Sequence, residues 1–127
     1  MTAPTSIREY EVSARSTDVF GRVMCSARNH HFVVDGPVQN GCPGEAITPA
    51  ELFLAGVAAC GVELLHVIAR DAKLPLLDVL VTANGVLDRS RPVRGDVSVF
   101  NSVHLAFTLD GVDQAQAEEL ISSFKRR

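Results

Sequence analysis

The stretch Ile47–Lys73, ITPAELFLAGVAACGVELLHVIARDAK, decides how the rest of the chain is read. Thr48 stands where an N-cap belongs, Pro49 at the first helical position, and Glu51 at the spacing of a capping box. Ile47 and Leu52 are placed to form a hydrophobic staple across that start. Arg70 and Lys73 stand near the far end, and Leu74-Pro75 stops a helix. The stretch predicts a helix of roughly 24 residues, about 36 Å long at ~1.5 Å per residue. In a chain of 127 residues such a helix is expected to run through the centre.

Small residues crowd the middle of this helix: Ala55, Gly56, Ala58, Ala59 and Gly61 surround Cys60. A glycine inside a helix costs about 1 kcal/mol relative to alanine, so two of them ask for an offsetting gain. Small residues let another backbone come close, or leave room beside a side chain. Phe53, Gly56, Val57, Glu63, Leu64 and Val67 share the face of Cys60 by three- and four-residue spacing. A free cysteine commonly packs as a small hydrophobe, and position alone favours that reading here. A reactive Cys60 needs a cation from elsewhere, because the helix dipole acts only near the first turn and Glu63 opposes a thiolate. Arg22 and Arg28 are the candidates, since arginine on a half-apolar strand asks for a partner.

Outward from the helix the pattern changes to a period of two. REYEVSARS alternates, with Tyr10, Val12 and Ala14 on one face. VFGRVMCSAR follows the turn STD, with Val19, Val23 and Cys25 on one face and Arg22, Met24 and Arg28 on the other. HFVVDG is a third short strand, and the loop GPVQNGCPGEA leads into the helix. Beyond the helix come LDVLVTANGVLD, the charged turn RSRPVRGD, and VSVFNSVHLAFTLD. In this last segment Val97, Val99, Val103, Leu105, Phe107 and Leu109 share a face, and Asn101 alone breaks the apolar row. Asp113 and Gln116 cap a final helix carrying Ala117, Leu120, Ile121 and Phe124. The order, three strands, long helix, two strands, helix, predicts an α+β fold in one domain over residues 1–127.

Composition narrows the function. The chain is 46% hydrophobic with a net charge of -3, so it carries no field for nucleic acid or an anionic membrane. The N-terminus shows no signal pattern, and the charges in the long helix argue against a membrane span. Cys25, Cys42 and Cys60 are an odd, widely spaced set, which predicts free thiols in a reducing cytoplasm. His30, His31, His66 and His104 lack metal-ligand spacing with them, so no zinc site is expected. The chain stops at Arg127 within the last turn of the final helix, with no Gly cap or following strand, and is expected to continue.

At this point GCPGEAITPAELFLAGVAACGVELL resembles the start of the central helix in the OsmC/Ohr family, the osmotically inducible and organic hydroperoxide resistance proteins. HHFVVDGP before the loop resembles the more distant OsmC-like branch. The resemblance implies an intertwined homodimer with the long helices at its centre and active sites at the subunit interface. It implies that Cys60 is the peroxidatic nucleophile, oxidised to a sulfenic acid by organic hydroperoxide. It further implies that Arg22, after Gly21, holds the thiolate, with Arg28 as fallback, and that Glu51 fixes the arginine. No cofactor is implied; an external dithiol is the expected reductant.

This sequence departs from the family pattern in three places. Ala50 follows the proline where the organic hydroperoxide enzymes have glutamate, and Glu51 comes one place later, turned by about 100°. The family's resolving cysteine, in a Cys-Pro motif after the final helix, lies beyond Arg127. Cys42 stands in a loop where the family usually has glycine; it is either a substitute resolving thiol or an incidental one. The leading expectation is a cytoplasmic thiol peroxidase. Its rivals are a non-catalytic OsmC-like dimer that binds a small apolar ligand or partner, and an acyl-transfer nucleophile with His30, His31 or His104 as base.

Overall fold

The computed structural model describes residues 6–96 and 99–126. Its elements are β1 (Ser13–Ser16), β2 (Arg22–Ala27), β3 (His30–Asp35), α1 (Pro49–Asp71), β4 (Asp78–Val86), β5 (Ser102–Asp110) and α2 (Gln114–Lys125). The α+β order is the one expected. By internal contacts the chain forms two compact units, residues 1–52 and 53–127.

In the first unit β1, β2 and β3 make an antiparallel sheet in chain order. Its register places Cys25 between Ala14 and Phe32, and Arg22 opposite Asp35. The strands are shorter than the alternation implied. Ser13 faces Ser26, so residues before Ser13 run past the end of β2, where Arg28 turns at a φ of 54°. Tyr10 and Val12 are accordingly exposed and unpaired in any strand. Val19, expected in a strand, lies in the turn before β2, whose Arg22 N–H donates to the Val19 carbonyl at 3.0 Å.

The second unit holds the larger apolar core. One stripe of α1, Gly61, Leu65 and Ala69, is buried at four-residue spacing. Leu65 and Ala69 cluster with Val79 and Val81 of β4 and Leu120 of α2, flanked by Leu105, Phe107 and Phe124. Phe107 and Phe124 meet edge to face, with ring centroids 5.8 Å apart. The capping box of α2 forms as read: Gln116 N–H donates to Asp113 Oδ1 at 2.8 Å, and the Asp113 N–H donates to Gln116 Oε1 at 3.0 Å.

The two helical glycines differ in their surroundings. A methyl at Gly61 would rest on Val81 and Phe107 at ordinary contact distances, so the close approach of α1 to β4 leaves room for little more than alanine. A methyl at Gly56 would meet nothing among the described residues. The face that Gly56 shares with Cys60 and Phe53 is exposed. By length and composition α1 is apolar enough to cross a membrane, so its charges do not settle that question as the sequence reading supposed. A soluble core helix passes the same test.

The end of α1 contains a local cost. Lys73 has a φ of 56°, while the Leu74 N–H returns to the Ala69 carbonyl at 2.8 Å and closes the helix. The left-handed conformation costs a side-chain-bearing residue about 1–2 kcal/mol and glycine almost nothing. Lys73→Gly is therefore expected to raise stability by about 1 kcal/mol in denaturant melts. An unchanged or lower midpoint would mean that the lysine side chain offsets its own strain.

The last strand starts later than expected. Val97 and Ser98 lie outside the described residues, and residues 99–101 are not strand. Asn101, the break in the apolar row, explains part of this. Its Oδ1 accepts from the Asp88 N–H at 2.7 Å and its Nδ2 donates to the Arg91 carbonyl at 2.6 Å. The side chain clips the loop after β4 instead of facing an apolar layer.

Candidate active site

Arg22 opens β2 and follows Gly21, whose φ is 79°. The glycine is needed there twice over. Its backbone is left-handed, and a Cβ would collide with the Cys42 side chain. Gly36, at the end of β3, faces the same side chain and would collide with it in the same way. The two glycines are tied by a 2.8 Å bond from the Gly36 N–H to the Gly21 carbonyl. Cys42 is thus a half-buried plug between two glycines, its Sγ 3.8 Å from the Asn40 carbonyl.

Across the register from Arg22 stands Asp35, which is fully buried. Its carboxylate takes a bidentate pair from Arg22, Nε to Oδ1 at 2.8 Å and Nη2 to Oδ2 at 2.9 Å. Oδ2 also accepts the backbone N–H groups of Glu45 at 3.0 Å and Ala46 at 2.9 Å. Buried polar groups are costly unless bonded, and these four bonds meet that need. They hold the Asp35 carboxyl far below the usual carboxylate range; the Arg22 bond is the largest cause, and burial opposes it. Arg22 Nη2 makes one more bond, to Glu45 Oε1 at 2.9 Å. Both carboxylates hold the guanidinium charged, the Asp35 bond first.

Glu51, expected to fix Arg22, is engaged elsewhere. Its Oε1 accepts from the Thr48 N–H at 3.0 Å and the Thr48 Oγ1 hydroxyl at 2.8 Å, which completes the box at the start of α1. These bonds lower its carboxyl's pKa, the backbone one first. One step along the helix from Ala50 is enough to turn the side chain to the cap. Arg28, the fallback, sits in the β2–β3 turn at the other end of β2 and joins no ion pair among the described residues.

Cys60 lies in the second unit, in the middle of α1, and is exposed. It is not core filler; that part belongs to Cys25, which is buried in β2. The stripe α1 buries passes through Gly61, one position away, so the thiol points off the packed face. Phe53 beside it on the helix is also exposed and stacks on Phe100 at 5.6 Å. All three cysteines are free. Of the histidines weighed as bases, His31 has its Nδ1 held 2.8 Å from Ser26 Oγ across the sheet. Among the described residues no group of three or more His, Cys, Asp or Glu could hold a metal ion.

Asp35 and Glu45 were missed from the sequence. A signal for Asp35 existed. A two-residue turn at Arg28-Asn29 pairs Ala27 with His30, and counting back along both strands brings Arg22 to Asp35.

The family model described as OsmC-like protein matches residues 42–127. An OsmC-like protein from Mycoplasma pneumoniae shares the fold at a TM-score of 0.80 and 16% identity, covering 94% of this chain and 82% of that one. An organic hydroperoxide resistance protein OsmC from Legionella pneumophila, described as a redox protein, superposes at 0.71 with 26% identity, covering 96% and 85%. A Vibrio cholerae protein described as an organic hydroperoxide resistance protein, solved with captopril in one of its active sites, superposes at 0.72 with 25% identity, covering 97% and 83%. No curated protein matches by sequence.

Proposed function

This chain belongs to the OsmC-like protein family, and on that premise we propose that it is a cysteine-based thiol peroxidase that reduces organic hydroperoxides. The observation that carries the reading is the Cys60 thiol, exposed on an apolar helix face within the part of the chain the family model matches. The Cys60 thiolate attacks the hydroperoxide. A sulfur–oxygen bond forms, the O–O bond breaks, and the alkoxide leaves and takes a proton to become the alcohol. Sulfur, oxidised by two electrons, is left as the sulfenic acid. An external dithiol then reduces it, becoming a disulfide and releasing water.

Arg22 is the cation that favours the thiolate and orients the peroxide. Glu51 contributes by fixing the start of the helix that carries the thiol. Exposed Phe53 and half-buried Val57 favour alkyl peroxides over hydrogen peroxide. A homodimer that covers the exposed apolar face of α1 accounts for the open space at Gly56, and three free thiols suit the cytoplasm.

The test is direct. Alkyl hydroperoxide followed by dimedone trapping and mass spectrometry is expected to label Cys60 much faster than Cys25 or Cys42. Equal labelling of all three would sink the reading. A second reading, a non-catalytic dimer that binds a small apolar ligand, is favoured by one observation: Arg22 is already paired with two carboxylates. It requires no peroxide turnover at Cys60 with any dithiol.

A further inference from the structure

One row of β4 shrinks toward the end of the strand. Val79, Val81, Ala83 and Gly85 share a face, buried at the two valines and half-buried at Ala83 and Gly85. Gly85 does not have the left-handed backbone that calls for glycine. Its missing side chain gives room instead: a Cβ there would stand 2.7 Å from the Phe100 ring and 3.1 Å from Leu54 Cδ1 of α1. Phe100 fills that room. It also stacks on Phe53, with ring centroids 5.6 Å apart and ring planes 25° apart.

Phe53 is 56% exposed, and an exposed ring on a helix has little of its own to hold one orientation. The stack supplies that hold, as offset aromatic pairs do. Phe53 precedes Cys60 by two helical turns less about 20°, so the two side chains leave α1 in nearly the same direction, about 10 Å apart along its axis. Between them Gly56 puts no side chain in the way, and half-buried Val57 lines the path. All of these residues belong to the second unit. One end of this strip is an exposed thiol, and the other is a fixed aromatic face.

We propose that Phe53 is a specificity-determining residue that takes the organic group of the hydroperoxide, and that Phe100, admitted by Gly85, is the positioning residue that holds the Phe53 ring for it. This rests on the reading that Cys60 reduces organic hydroperoxides. A linear chain with its peroxide end at Cys60 lies along the strip and covers Phe53. A tert-butyl group is too short to reach that ring. Long and short substrates are then separated by the apolar area each buries.

The experiment compares the rates at which octyl and tert-butyl hydroperoxide oxidise Cys60 in the full-length protein, followed on the peptide that carries it. Phe53→Ala is expected to lower the octyl-to-tert-butyl ratio about tenfold. Phe100→Ala and Gly85→Ala are expected to lower it by less, and Phe100→Tyr, which keeps the ring, to preserve it. Joined to Phe53→Ala, Phe100→Ala is expected to lower the ratio no further, because it acts through the ring already removed. A fold that merely loosened would slow both peroxides together.

An unchanged ratio in Phe53→Ala overturns the subsite. Additive losses in the double variant overturn the positioning role of Phe100. Failure of the peroxidase reading looks different: in wild type neither peroxide would oxidise Cys60 faster than Cys25 or Cys42. The subsite is decided even then, because N-octylmaleimide and N-ethylmaleimide alkylate Cys60 without peroxide. Their rate ratio is expected to fall in the same variants, and a ratio that stays constant overturns the proposal.

Discussion

Arg22→Met is expected to slow peroxide oxidation of Cys60 by about 100- to 1000-fold, the scale of losing one preorganised donor at a reacting charge. Two effects combine. On the proposed mechanism the thiol loses the cation that favours its ionised form, and the peroxide loses the guanidinium donors that Asp35 leaves over. The methionine also leaves Asp35 buried opposite an apolar chain, so the variant will be less stable. A rate that fell merely because the sheet loosened would recover at lower temperature and leave the Cys60 alkylation profile unmoved. Loss of the cation instead moves that profile to higher pH at every temperature where the protein is folded. Arg22→Lys separates the contributions: it keeps the charge and loses the fork. It is expected to restore most of the thiol's acidity and little of the peroxide rate. Wild-type rates in Arg22→Met would remove the arginine from the mechanism.

Asp35→Asn should have the largest effect on stability. The amide keeps the volume but turns one of two acceptors into a donor, at a place where Arg22, Glu45 and Ala46 all donate. An amide nitrogen in place of Oδ1 faces the Arg22 Nε donor, and in place of Oδ2 it faces Nη2 and both backbone N–H groups. A drop in Tm of about 10 °C or more is expected at neutral pH. The acid response fixes the cause. The native carboxyl has a depressed pKa, so its stabilising contribution is fully present above the unfolded value of about 4. It is lost as pH falls toward the folded value. Wild type should therefore lose Tm steeply below about pH 4, and the gap to Asp35→Asn should close there. A gap that stays constant down to pH 2 would show that the carboxylate's charge is not what holds this loop.

Features that act over a few residues were legible in the sequence. Thr48 with Glu51 and Asp113 with Gln116 are bonds between near neighbours, and both formed as read. The long helix followed from those caps and from the proline that ends it. Strand limits were less legible, because alternation says only which way side chains would point if a partner existed. The residues around Tyr10 alternate well, yet β2 has already turned away at Arg28. Asn101 looked like a flaw in a row of apolar residues and is a clip for a loop.

The site divides in the same way. Cys60 and Arg22 are proposed on the resemblance to a family motif, carried by the small residues around the cysteine and the glycine before the arginine. Asp35 and Glu45 reach Arg22 across 13 and 23 positions, and only the register and the loop's path bring them there. Glu51 was brought to the site by the family resemblance, with the helix cap as its alternative, and the bonds it makes here are those of the cap.

Both sheets join only strands that are neighbours along the chain. That has a consequence for how the protein is made. The β1–β2–β3 sheet needs nothing that is synthesised after Asp35, and its closing loops are short, so it can pair while the rest is still being translated. The residue that ends this sheet is also the one that waits, as a buried acid, for the backbone of Glu45 and Ala46. Until those amides emerge, Asp35 has only Arg22 to hold it. When they arrive, the loop is drawn down just before α1 begins. The ion pair that ends this sheet thus also draws in the loop that precedes α1, before any of the helix's apolar face has been made.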